Sequence, residues 1–383
     1  MIVIWMIVTV LIVYGSLFPF NFQAYDLSRT TFDLFLQSWQ DRSSWGDLLS
    51  NIALFVPFGV AGMLSTRNFR FASLNVLLVL ASGLILAIGL QSAQLYLPGR
   101  IAALNDAIWN TLGLTLGMFF ALVANKYILK LQIEVRAIPL IPLVLLGVWS
   151  AYRLVPFVPT TDFQAIKDSL KPLLIQPDIS LLAVFINMVS WMLAGHFLKY
   201  LTGTRGALGK LALFMVSLFG LEILIIENAV TASNIVGALI ALMISASFMA
   251  RAKGMGTILV ILLPISIVLQ GLAPFDPRPV IDAFNWFPFH SFFGGSMYHN
   301  ILALLQKIFF YSGLVFLFYE LGLTWLRASL QTGLLLLLIE VSQIYFSGHT
   351  PEITDPLLAL LLALGMIELD RLAPVSRKIK KEI

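Results

Sequence analysis

Cysteine is absent from the 383 residues, charged residues make up only 11%, and the four histidines (His196, His290, His299 and His349) are scattered. Without thiols the chain has no disulfides, thiolate metal sites or cysteine nucleophiles. No HExxH or comparable pairing occurs, so no metal site is expected and no cofactor is assigned. A P-loop, a dinucleotide fingerprint and a serine nucleophile elbow are also missing. Coupling to nucleotide hydrolysis would therefore require another protein.

The scarcity of charge is the most informative of these absences. With 59% hydrophobic residues and a mean hydropathy of +0.91, the chain has too few polar side chains to clothe a soluble surface of this size. Twelve apolar stretches recur, at 2–17, 47–66, 73–95, 105–124, 138–156, 180–199, 208–227, 232–250, 256–273, 300–319, 325–344 and 354–370. Their runs are continuous and do not alternate, which excludes a transmembrane β-barrel. The expectation is an all-α polytopic bundle of about twelve spans. The first stretch has no basic residue before it and no small-residue cleavage site, so a retained span is expected in place of a signal peptide.

With both termini on the cytoplasmic side, sixteen Lys and Arg residues fall inside, including the tail Arg377, Lys378, Lys380 and Lys381. Seven fall outside: Arg29, Arg42, Arg100, Arg153, Lys167, Lys171 and Arg278. That bias follows the positive-inside rule. The basic clusters read as orientation signals, and no nucleic-acid partner is expected.

Polar residues repeat at fixed spacing. Gln94, Tyr96, Gly99 and Asp106 recur as Gln343, Tyr345, Gly348 and Asp355, each 249 residues on, with Gln91 answered by Glu340. A Pro-Phe pair ends three spans, at Pro19-Phe20, Pro156-Phe157 and Pro274-Phe275. Asn51 and Gly59 return as Asn187 and Gly195, and Asn110-x-x-Gly113 returns as Asn234-x-x-Gly237. These matches divide the chain into three parallel four-helix units, 1–131, 132–253 and 254–383, the middle one degenerate.

The first unit resembles the VanZ-like family of small membrane proteins. The resemblance rests on Phe18-Pro19-Phe20, Asn51 with Pro57-Phe58-Gly59, Gln91-x-x-Gln94, Gly99-Arg100, and Asp106-x-x-x-Asn110-x-x-Gly113. The third unit supplies Glu340-x-x-Gln343, Gly348-His349 and Asp355, and departs at Ala359, where the family has Asn. Gln91 departs from the Glu of the pattern. The resemblance implies a bacterial cytoplasmic (inner) membrane location and a link to glycopeptide (teicoplanin) resistance; it implies no reaction.

Read physically, Gln91, Gln94, Arg100, Asp106, Asn110 and Asn51 gather at the outer end of unit one. Glu340, Gln343, His349 and Asp355 gather at the outer end of unit three. Such a set suits an anionic head group, with Asp106 orienting Arg100. The alternative is that Arg100 and Asp106 only pair and the amides tie helices together. Glu222, Glu227, Lys307 and Glu340 are ionisable groups inside or at the ends of spans, with Lys307 and Glu340 a candidate pair. Gly113-x-x-x-Gly117 reads as a helix-packing motif. Asp162 to Leu174 reads as an amphipathic surface helix, and the aromatic run Phe284 to Tyr298 as an outer belt or re-entrant loop.

Three functions follow. The first is binding or transport of envelope lipid or peptidoglycan-related ligands, with membrane lipids as the immediate partners. The second is an intramembrane enzyme acting on a lipid-linked substrate, with Asp106, Asp355 or Glu340 as acid or base. The third is a scaffold for other membrane proteins.

Overall fold

The computed structural model describes residues 1–23, 33, 35–40, 44–66, 72–98, 100–130, 138–175, 177, 179–226, 228–248, 254–294 and 296–373. Gly99, Glu227, Gly295, Arg29, Arg42 and the basic tail lie outside them, as do Arg67, Arg70, Arg136, Arg251 and Lys253. Two compact units are present, Met1–Val135 and Arg136–Ile383. Most of the described residues are helical. No β-strand occurs among them, only isolated bridges between loops.

The first unit contains α1 (Ile2–Leu17), α2 (Trp45–Thr66), α3 (Ala72–Gln94) and α4 (Leu104–Lys130). Its core joins Ile12, Phe55, Phe58, Val79, Ala87 and Leu114. α2 and α4 pack backbone to backbone, and glycine permits it. A Cβ on Gly113 would lie 2.2 Å from the Ile52 carbonyl oxygen, and one on Gly117 2.2 Å from that of Val56. Gly59 approaches the Leu114 carbonyl in the same way. The GxxxG therefore acts as a packing motif, as expected.

The second unit contains α5 (Leu140–Leu154), α6 (Phe163–Ile175), α7 (Leu181–Thr202), α8 (Ala207–Ile223), α9 (Ala232–Phe248), α10 (Gly254–Leu272), α11 (Met297–Glu320), α12 (Trp325–Gln343) and α13 (Thr354–Leu372). One hydrophobic core runs through it, including residues on both sides of position 254. Its centre is aromatic: Trp149 of α5 stands edge-on to Trp191 of α7 at 4.5 Å and stacks on Phe309 of α11 at 5.5 Å. α9 lies on α7 through Gly237, whose Cβ would meet the Val184 carbonyl at 2.8 Å. Towards the other end of α7, His196 Nε2 and the Tyr200 hydroxyl both bond Glu320 of α11.

Each of the twelve apolar stretches coincides with a helix. Seven are long and apolar enough to cross a membrane: α2, α3, α4, α7, α10, α11 and α12. α1, α5 and α9 are apolar but shorter, at 16, 15 and 17 residues. At 1.5 Å per residue, 15 residues reach about 23 Å, less than the thickness of about 30 Å of a hydrocarbon core. The stretch 2–17 coincides with α1, whereas hydropathy overran α5 because apolar residues continue past the point where that helix stops. α5 ends before Val155-Pro156, where proline has no N–H to offer. α8 has 17 residues and carries Lys210 and Glu222, and α13 carries four charged residues, Asp355, Glu368, Asp370 and Arg371.

A local geometry recurs at three helix ends. Phe20, Phe157 and Phe275 each have positive φ (62°, 61° and 68°) after a cis X–Pro bond. Their N–H groups bond the carbonyls of Leu17, Leu154 and Leu272. Three residues further on, Gln23, Thr160 and Arg278 donate backbone N–H bonds to Tyr96, Leu224 and Tyr345. The Pro-Phe corner thus turns the chain onto the loop that follows α3, α8 or α12.

Because Gly117 sits against backbone, Gly117→Ala is expected to destabilise the first unit by about 1–3 kcal/mol, the usual cost of overpacking. Gly89→Ala, with nothing within 4 Å of its Cβ position, is expected to be close to neutral. Thermal unfolding of the two purified variants compares them directly.

Candidate functional site

The polar residues of the first unit serve the junction between α3 and α4. Gln91 Oε1 accepts the Ala103 N–H at 3.0 Å, and Gln94 Nε2 donates to the Ser16 carbonyl at 2.9 Å. Arg100 Nη2 donates to the carbonyls of Gly15 and Phe18. Asp106 hydrogen-bonds Asn51, with Asp47 also near, so the expected Arg100–Asp106 pair does not form. Arg100 is drawn instead to carbonyls at the end of α1 that have no helical N–H of their own to accept. Asn110 is buried and its Oδ1 has no hydrogen-bond partner. Its counterpart Asn234 accepts from Trp191 Nε1 at 3.0 Å, whereas 136 residues before Trp191 stands Phe55, which has no donor.

The same junction recurs in the second unit between α12 and α13. Glu340 Oε2 accepts the Glu352 N–H at 2.9 Å, and Gln343 Nε2 donates to the Gly271 carbonyl at 2.8 Å. Ala103 and Glu352 are again 249 apart. Ser16 and Gly271 each stand three residues before the proline of the Pro-Phe corner. Between α8 and α5 the corresponding link is an ion pair. Glu222, three residues before Ile225 as Gln94 is before Leu97, binds Arg153, three residues before Pro156.

Between α12 and α13 the junction opens into a cavity of about 320 Å³ that takes in Glu340, Gln343, His349 and Asp355. Lys307 Nζ bonds Asp355 Oδ1 at 2.6 Å, and the Tyr311 hydroxyl bonds Asp355 Oδ2 at 2.5 Å. Lys307 therefore pairs with Asp355 and not with Glu340 as its first partner. The Glu340 carboxylate is turned to the Glu352 N–H and also reaches the Asp355 carboxyl. Burial of Asp355 without a cation would be costly, and α11 brings the Lys307 stem past it.

Sequence reasoning did not single out Tyr311, Glu352, Ser291 or Gln306, which also line this space. Glu352 was hidden because its counterpart in the first unit is Ala103. Its carboxylate accepts the Ser291 N–H at 3.0 Å and the Thr354 hydroxyl. From the aromatic run Phe284–Tyr298 Ser291 lines the cavity, and the run is tied to the loop before α13: Asn285 exchanges backbone bonds with Pro351 and Ile353, and Phe289 N–H bonds Thr354 Oγ1. Arg278 donates to the carbonyls of Phe346 and His349, holding the loop that carries the histidine. It also bonds Asp282, and with the Ala283 N–H this holds the Asp282 carboxyl below its usual range. His349 Nε2 is buried without a partner.

The cavity thus combines the Lys307 ammonium with three carboxyl groups, amides and hydroxyls, and the His349 side chain also lines it. Among the described residues no group of three or more His, Cys, Asp and Glu is arranged to hold a metal ion.

Long apolar helices around a small number of buried polar groups define a multi-pass α-helical integral membrane protein. Residues 2–125, in the first unit, match the family model described as VanZ/LLP1. No curated protein and no solved structure matches the chain.

Gln91 shows that an amide oxygen does the backbone work of Glu340. Glu340→Gln is therefore expected to keep stability within about 1 kcal/mol of wild type, while Glu340→Ala leaves the Glu352 N–H unpaired and costs about 1–3 kcal/mol. Denaturation of both variants in detergent measures the difference. For the buried pair Arg153–Glu222, Glu222→Leu alone is expected to cost about 3–5 kcal/mol. The double variant Arg153→Met with Glu222→Leu should recover most of it, because the unpaired charge is then gone too.

Proposed function

We propose that the protein is a non-enzymatic binder or transporter of an envelope lipid or peptidoglycan-related ligand, whose anionic head group occupies the cavity between α11, α12 and α13. The observation that carries this reading is Lys307. Its side chain lines the cavity and is 41% exposed even though Asp355 takes one of its bonds. With three N–H donors on the ammonium, it can bond a phosphate or carboxylate oxygen as well, and His349 lines the same space. The carboxyls opposite accept from hydroxyl or amine groups. The ligand that suits both walls is an anionic head group that also carries such donors.

The topology belongs to the same reading. The chain is a tandem of three VanZ-like units of four spans, in a bacterial cytoplasmic membrane with both termini inside. The recurring Pro-Phe corners and the matching Gln91–Ala103 and Glu340–Glu352 bonds support the duplication. The link to glycopeptide (teicoplanin) resistance rests on the VanZ-like first unit. A second reading, an acid–base enzyme on a lipid-linked substrate, has one observation in its favour: the Glu340 and Asp355 carboxyls touch beside Lys307. Mass spectrometry of envelope lipids with and without the protein separates the two, because binding leaves covalent structures unchanged.

Lys307→Met is expected to abolish protein-dependent teicoplanin tolerance in cells at unchanged membrane abundance. Tolerance equal to wild type would overturn the binding site. Since the chain has no cysteine, Tyr345→Cys provides a unique label for orientation. Intact cells should react with a membrane-impermeant maleimide; reaction only after permeabilisation would place the cavity on the other face.

A further inference from the structure

A different pair of compartments lies in the same unit, around α8 and α9. The first is a polar cavity of about 250 Å³ that includes Arg153, Glu222, Asn228 and Asn234. Its two ions already satisfy each other: Arg153 bonds both Glu222 oxygens, and its guanidinium lies 5.4–5.7 Å from the ring centres of Trp149, Trp191 and Phe219. What the cavity still offers a ligand is amide and hydroxyl chemistry, with Tyr152, Tyr298 and Thr231 in its lining. A charged guest would bring an unmatched ion into a space whose own charges are spent.

The second compartment is a groove of about 500 Å³ between α8 and α9, closed at one edge by Leu170 and Leu173 of the amphipathic α6. Its lining is almost wholly apolar. The two compartments adjoin. Phe219 lines the groove while its ring faces Arg153, and the chain neighbours Val230 and Thr231, like Ile235 and Asn234, divide between groove and cavity. Gly220 lines the groove with nothing within 4 Å of its Cβ position, so the space there is open.

We propose that this is a binding site for a single-chain amphiphile with an uncharged, hydroxyl-bearing head group, its acyl chain in the groove and its head in the polar cavity. The site is separate from the Lys307 cavity and does not depend on the reading of that cavity. Membrane lipid fills any groove that faces hydrocarbon, so selectivity for the head group is what distinguishes a built site from solvation.

The test is native mass spectrometry of the full-length protein in detergent. The probe is 1-monooleoylglycerol, with octadecene (no head group) and a lysophosphatidylglycerol (charged head group) as comparators. Gly220→Phe fills the groove and is expected to weaken monooleoylglycerol binding about tenfold or more, that is, about 1.4 kcal/mol or more. Leu239→Trp, at a position 56% exposed and lining the same groove, is expected to do likewise and stands in if the first variant does not fold. Tyr152→Phe with Tyr298→Phe should weaken monooleoylglycerol but leave octadecene unchanged. Lys307→Met should change neither. Wild-type affinity in a folded groove variant would overturn the proposal. So would octadecene or the charged lipid binding as tightly as monooleoylglycerol.

Discussion

The arrangement depends on how the chain satisfies its backbone where one helix ends and the next begins inside an apolar surround. Helix termini leave N–H and C=O groups without partners, and hydrocarbon supplies none. Gln91 accepts the Ala103 N–H, and Gln94 donates to the end of α1. Glu340 and Gln343 do the same for Glu352 and the end of α10. Two side chains one helical turn apart thus tie three helix ends together. The backbone of the turn between two helices is then partly satisfied by side chains of the preceding helix.

That device also explains where a cavity can form. Once the loop backbone is satisfied by side chains from the neighbouring helix, further polar groups placed beside it are free to meet a ligand. Between α12 and α13 the added groups are Lys307, Tyr311 and Asp355, with Glu352 and His349 from the loop itself. In the first unit the corresponding Asp106 meets Asn51, and Arg100 is spent on carbonyls of α1. In the middle of the chain the amide-to-carbonyl link is replaced by Arg153 and Glu222, which turns a tie into a charged wall. One corner therefore serves as plain scaffold, as an ion pair beside a groove, and as the edge of an open site.

Packing separates these roles further. The first unit brings α2 and α4 into backbone contact through Gly59, Gly113 and Gly117, leaving little room between them. In the second unit α9 still approaches α7 closely at Gly237, but large rings, Trp149, Trp191, Phe309 and Phe316, stand between α5, α7 and α11. Towards the end of α7 that Trp191 precedes, His196 and Tyr200 fix α11 through Glu320. Cavities that need space between helices accordingly appear around the aromatic core.

Sequence alone determined what depends on local composition and on spacing along the chain. The apolar runs fixed where helices form, because burial in lipid demands unbroken hydrogen-bonded segments. The interval of 249 residues fixed that Gln94 and Gln343, or Gln91 and Glu340, share a task. The glycine pair of α4 announced a close approach. Tertiary structure decided what depends on partners distant in the chain. It gave Lys307 to Asp355 in place of Glu340, and Arg100 to carbonyls in place of Asp106. It also brought in Glu352, which no repeat could reveal because its counterpart is alanine. Which charge meets which is set by how helices rotate against each other, and that rotation follows from the summed packing of apolar faces, a property that no local stretch of residues contains.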